Sequence, residues 1–184
     1  MGKQRKGGLP YLKTSLRFDW DSGRGVAASE QKALISDVLS HLEGRGCRSD
    51  CVEPSSSTQF STFVNETAGF GLQACLDLVK TDSSPIVFLD SSCPRPSAVA
   101  NALGLYFNNY AGTVRTYCLQ GVEEEILNRL NRRADAVVLR NCPEELRARL
   151  ESTLKTVHLQ TGRSSGSYTP VSLIKSQGKA AKVK

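Results

Sequence analysis

The chain has 184 residues, 39% of them hydrophobic and 23% charged, with a formal charge of +6. That length fits one domain with appendages and allows a real core. No stretch reaches the ~18 consecutive apolar residues that a membrane span needs, and the basic start MGKQRKGG lacks the apolar segment of a secretory signal. The charge is unevenly placed. Residues 1–25 carry +4 through Lys3, Arg5, Lys6, Lys13, Arg17 and Arg24 against Asp19 and Asp21, and residues 156–184 carry +5 through Arg163, Lys175, Lys179, Lys182 and Lys184. The middle of the chain is left at −3. A mildly acidic core with basic ends argues against one broad cationic face and suits a globular module whose arms run along a polyanion, RNA or DNA. Solvated ends, or an arm used for localisation, would have the same composition.

Residues 1–28 do not read as a domain. Leu9, Tyr11, Leu12, Leu16, Phe18 and Trp20 are spaced irregularly among Gly, Pro and basic residues. The pattern fits an extended arm that docks on a partner through Leu9, Tyr11, Leu12, Phe18 and Trp20, or back on the core; a short first strand of the same domain fits equally. Ser29 is placed to cap a helix running to Glu43, with Leu34, Ile35, Val38, Leu39 and Leu42 on one face and Gly44 as the stop. Residues 44–58 are loop by composition and read as an insertion. Gln59 to Val64 alternates weakly, as a short strand would.

The stretch Ala68 to Asp90, AGFGLQACLDLVKTDSSPIVFLD, sets the pattern for the second half of the chain. Gly69 and Gly71 bracket Phe70 and lead into Leu72, Cys75, Leu76 and Val79 at helical spacing; Pro85 to Leu89 is an unbroken apolar run that suits a buried strand. The glycine end either opens a turn or lets backbone approach a ligand closely. Pro96 is placed to start a helix from Ser97 to Asn108. Thr113 to Leu119 reads as a strand, and Gly121 to Leu130 as an amphipathic helix with three glutamates in its first turn. Asn131-Arg132-Arg133 is a basic loop, Ala136 to Leu139 a strand, and Pro143 to Val157 a last helix. Tyr168 to Ile174 has the make-up of an edge strand. This order predicts a three-layer α/β/α sandwich around a small, largely parallel sheet, occupying residues 29–160, with an N-terminal arm (1–28) and a basic tail (161–184).

Few residues suggest catalysis or metal binding. His41 and His158 fall at predicted helix ends, where the dipole pairs them. Cys47 and Cys51 have ligand spacing, but no second pair completes a tetrahedral zinc set. Cys75 and Cys118 lie within apolar runs, so the six cysteines read as reduced thiols. Cys93, beside Pro94 and Arg95, is a nucleophile by position only, with no base in view. No phosphate-loop motif occurs, and GFG is too short for a dinucleotide fingerprint. No metal or cofactor is expected.

The layout resembles the kink-turn-binding ribosomal-protein superfamily, the L-seven-Ae type, whose α/β/α domain reads RNA with a glycine-led loop and the following helix. It is more similar still to the Pop-three/Rpp-thirty-eight family of ribonuclease P and ribonuclease MRP subunits. AGFGLQACLDLVK resembles the glycine-led helix, SSPIVFLDSSCPRPSAVANALGLYF the buried strand, proline loop and helix, NRRADAVVLRN the basic second RNA loop, and SYTPVSLIKSQGKAAKVK the lysine-rich tail. The short proline- and aromatic-bearing arm LPYLKTSLRFDW is also similar. The resemblance covers most of the chain. It implies a non-catalytic subunit that binds structured RNA and neighbouring proteins in the nucleus and nucleolus, in tRNA 5′ and rRNA processing. A related RNA-binding protein of a ribosomal or nucleolar particle is the alternative, and an interaction scaffold or small enzyme a further one.

The chain departs from the family at one place. Gly71 and Leu72 stand where the family has Asn and Glu, and leucine can neither donate nor accept a hydrogen bond. The Asn65-Glu66 pair offers those letters further upstream. The resemblance then implies shape and backbone recognition: amides at Gly69, Phe70 and Gly71, the neighbouring Gln73, the side chains of Arg132 and Arg133, and Lys3, Arg5, Lys6, Lys175, Lys179 and Lys182 on phosphates.

Overall fold

A computed structural model of the chain describes residues 17–47 and 63–160. The elements are β1 (Phe18–Asp19), α1 (Ala28–Glu43), β2 (Phe63–Val64), β3 (Ala68–Phe70), α2 (Leu72–Thr81), β4 (Ile86–Asp90), α3 (Ser97–Asn109), β5 (Arg115–Leu119), α4 (Val122–Leu130), β6 (Ala136–Leu139), α5 (Glu144–Thr153) and β7 (His158–Leu159). A five-stranded sheet in the order β2-β3-β6-β4-β5 sits between two helical layers.

Alternation along the strands fills both faces. Ile86 and Phe88, Tyr117 and Leu119, and Val137 and Leu139 pack with Leu34, Leu39 and Leu42 of α1, Ile126 and Leu130 of α4, and Leu150 of α5. Val87, Leu89, Cys118, Ala136 and Val138 face the other way, onto Cys75 and Val79 of α2 and Leu103 and Phe107 of α3. The α/β/α sandwich expected from the order of elements is therefore the observed fold.

The sheet is mixed, not largely parallel. Among the described strands β4 and β5 are the one pair hydrogen-bonded in parallel; β6 lies between β3 and β4, antiparallel to both, and β2 pairs antiparallel with β3. Gly69 belongs to β3 and not to a loop. Its missing side chain lets α2 lie close on the sheet: a Cβ there would stand 2.7 Å from Leu78 Cδ1, 3.1 Å from Val138 Cγ1 and 3.2 Å from Ala74 Cβ.

Helix α1 begins without a side-chain cap, at Ala27 instead of Ser29. Gln31, one turn inside, reaches back and donates to the carbonyls of Gly23 and Val26, both at 3.0 Å. Its far end turns at Gly46, whose φ of 73° is left-handed; Gly44 remains in the right-handed region.

Residues 17–27, read either as the end of the arm or as a short first strand, take the second form and belong to the domain. β1 pairs antiparallel with β7, Ser22 Oγ accepts from the Cys118 amide at 2.9 Å, and Phe18 lies against Gly104 of α3. The last helix stops at Thr153 and not Val157, because the chain there turns to cover the free edge of β5: Lys155 N donates to Ser22 O at 3.0 Å and Val157 N to Thr116 O at 2.8 Å. Residues 1–16, 48–62 and 161–184, with the expected tail strand and most of the insertion, lie outside the described residues.

Candidate nucleic-acid interface

Strand register brings four chain reversals to one end of the sheet. Phe70 pairs with Val137, Leu89 with Ala136 and Asp90 with Leu119. Hence the β3–α2 junction, the β4–α3 loop, the β5–α4 turn and the α4–β6 loop share one edge. Helices α3 and α4 leave it toward opposite faces, which in open α/β sheets opens a crevice outside the carboxyl ends of the strands.

Buried bonds build the edge. Asp90 accepts from the amides of Ser92 at 2.9 Å and Glu123 at 3.3 Å, tying the β4–α3 loop to the first turn of α4. Gly71 N donates to Ala136 O and Asp90 N to Asp135 O, both at 2.8 Å. These bonds correct the expected ligand-facing amides. Gly69, Phe70 and Gly71 are buried; the first two lie in a strand flanked on both sides, and the Gly71 amide is committed to β6.

The glycine corner and the two-arginine loop do lie together. The Arg132 guanidinium sits over the Phe70 ring, 5.6 Å from its centroid, and its Nε donates to Cys47 O at 2.8 Å. Burial lowers its pKa from the ordinary arginine value. Arg132 is thus half-buried and engaged in structure, while Arg133 is exposed. Gln73 is exposed on the first turn of α2, its amide donating to Asp77 Oδ2 at 2.9 Å. Asn65 serves a turn: its Oδ1 accepts from Thr67 N at 2.9 Å and Ala68 N at 2.7 Å, and its Nδ2 donates to Cys47 Sγ.

Of the placements open to Phe18 and Trp20, on a partner or back on the core, the second is observed: they pack onto their own domain, with ring centroids 6.3 Å apart. A lone apolar cluster far from periodic sequence gives no sign of which surface it covers. Leu9, Tyr11, Leu12, Lys3, Arg5, Lys6, Lys175, Lys179 and Lys182 lie outside the described residues.

Beside this pair, at the carboxyl ends of β4 and β5, opens a cleft of about 600 Å³ whose lining includes Trp20, Arg24, Arg95, Gln120 and Gln160. Arg95, Gln120 and Gln160 were not singled out by the sequence. For Arg95 and Gln120 the one signal is positional, since both follow the ends of expected strands; Gln160 follows β7, which no periodicity marks.

Cys93 is buried, its thiol donating to Asp135 O at 3.1 Å; burial above all, then the nearby Asp135, pushes it well up from the ordinary thiol range, opposite to an activated nucleophile. Cys118 is pushed up to about 12, again mainly by burial. The five described cysteines, Cys47, Cys75, Cys93, Cys118 and Cys142, are free, and no group of three His, Cys, Asp or Glu among the described residues is arranged to hold a metal. No described helix is long and apolar enough to cross a membrane.

No model of a known protein family matches the chain, and no curated protein matches it to a significant degree.

Proposed function

We infer that this chain is a non-catalytic, RNA-binding protein subunit of the ribonuclease P and ribonuclease MRP ribonucleoproteins, acting in tRNA 5′ processing and rRNA processing in the nucleus and nucleolus. RNA carries the hydrolysis in that class of enzyme. This subunit braces a folded RNA and contacts neighbouring proteins.

One observation supports the reading above the others: charge is separated from fold. The described residues hold 14 Lys and Arg against 16 Asp and Glu, a net −2, while the whole chain is +6. Within the domain many of the cations are spent on ion pairs, among them Arg129–Glu43 at 2.8 Å, Arg140–Asp82 at 2.8 Å and Lys32–Glu125 at 2.9 Å. The surplus lies in the two terminal segments, as in a module that positions itself by shape and holds a polyanion by its ends.

Sequencing the RNA that co-purifies with the tagged chain tests this. Enrichment of the ribonuclease P and MRP RNAs is expected. Ribosomal or small nucleolar species in their place would move the chain to another RNA-binding particle, and absence of RNA would overturn the reading.

A further inference from the structure

The cleft at the carboxyl ends of β4 and β5 lies outside the RNA contacts expected from the sequence. Its volume, about 600 Å³, lies within the ~300–1,000 Å³ typical of small-ligand sites. Three chemistries meet there. Trp20, half-buried, supplies an aromatic plane, and Gln120 and Gln160 supply primary amides, both on exposed residues. The lining holds two carboxylates, Asp19 and Asp21, against two guanidiniums, Arg24 and Arg95, and so carries no net charge. Arg24 pairs with Asp19 at 3.1 Å and Asp21 at 3.4 Å, and Gln31 is committed to two carbonyls. Arg95 remains, exposed and with no ion pair among the described residues. An aromatic plane, side-chain amides and a cation together match the base, the base edge and the phosphate of an unpaired nucleotide.

A second observation brings a polyanion to the same place. Gln160 N donates to Arg17 O at 2.7 Å, so the chain enters and leaves the described domain at the rim of this cleft. Residues 1–16 carry +4 and residues 161–184 carry +5, with no acid in either.

We propose that this cleft takes one unpaired nucleotide of a bound RNA, its base against Trp20 and its phosphate on Arg95. The proposal rests on the RNA-binding reading and adds a site to it. Trp20 is the only tryptophan of the chain, so its emission reports on the cleft. The full chain is titrated with a short oligouridylate and with an abasic oligomer of equal length. The oligouridylate quenches Trp20 and the abasic oligomer does not. Arg95→Ala weakens oligouridylate binding about 3- to 10-fold and lowers the slope of log affinity on log salt by about 1. Arg95 is exposed, and an unchanged far-UV circular dichroism spectrum checks that the variant folds. If Trp20 emission is unmoved, or if Arg95→Ala binds as the wild type does, the cleft is not the nucleotide site while RNA binding stands. If the wild type binds no RNA at about 50 mM salt, where phosphate contacts are strong, both readings fall.

Discussion

At Gly69 one absent carbon sets the distance between sheet and helix. Leu78 Cδ1 ends a flexible side chain and can swing away, but Ala74 Cβ is fixed to the α2 backbone. Gly69→Ala therefore forces α2 outward and is expected to cost about 1–3 kcal/mol, the usual range for overpacking, read as a lower urea midpoint with unchanged m. Arg132 behaves similarly as a structural residue. Its bond to Cys47 O and its position over Phe70 predict that Arg132→Ala loses about 1–2 kcal/mol of stability. A loss of RNA binding in Arg132→Ala must be read after correcting for that loss. Arg133→Ala, at an exposed residue of the same loop, is expected to weaken RNA binding by about 1–3 kcal/mol if it touches bases and by less if it touches phosphate alone.

His41 gives the domain a dependence on pH. Burial, then the neighbouring Arg45, lowers its pKa below the ordinary histidine value, against a smaller opposing effect of the Asn141 backbone. A base that is harder to protonate in the folded state than in the unfolded one favours folding while neutral. Its contribution is complete above the unfolded value of about 6.5 and declines as pH falls from there toward the folded value. Urea midpoints between about pH 7.5 and 5.5 should fall less in His41→Gln than in the wild type. Equal slopes would remove His41 as a cause.

Among the elements, those with many residues at one period were legible. Val79, Cys75 and Leu72 mark α2, the run from Ile86 to Leu89 marks β4, and Val122, Ile126 and Leu130 mark α4. β1, β3 and β7 have two or three residues each, too few for a period, and exist because a distant partner meets them. The same reason hid the antiparallel insertion of β6, since a buried strand of four apolar residues carries no mark of direction. Gly104 tests how β1 is held. A Cβ there would lie 2.4 Å from Phe18 Cδ2, within the ring's own space. Alanine in a helix gains about 1 kcal/mol over glycine, offsetting part of the clash globally. The expected outcome of Gly104→Ala is thus local: faster hydrogen exchange at the β1–β7 pair and a shifted Trp20 emission, with a modest change in the overall midpoint.

At the scale of the molecule, the separation of charge was legible because composition needs no coordinates. The edge was legible only in part. Gly71 and Arg132 were marked by glycine and by charge, and the register brings their segments together. Arg95 and Gln120 are ordinary loop residues until β4 and β5 are seen to run parallel, which places both loops at the same end. The tail supplies the remaining prediction. Deleting residues 175–184 removes Lys175, Lys179, Lys182 and Lys184, so RNA affinity should fall and the salt slope flatten by up to about 3–4, each phosphate contact adding roughly 0.9 to the slope on duplex and 0.7 on single strands. An unchanged slope would show that these lysines touch no phosphate.

The bond between Gln160 and Arg17 also bears on how the chain is handled. The described domain is entered at Arg17 and left at Gln160, so a purification handle at either end of the chain joins it through the rim of the same crevice. The bend around Gly112 precedes β5 and so belongs to the opposite end of the sheet; a Cβ at Gly112 meets nothing within 4 Å. A handle inserted there stands at the other end of the sheet from the cleft lined by Trp20 and Arg95.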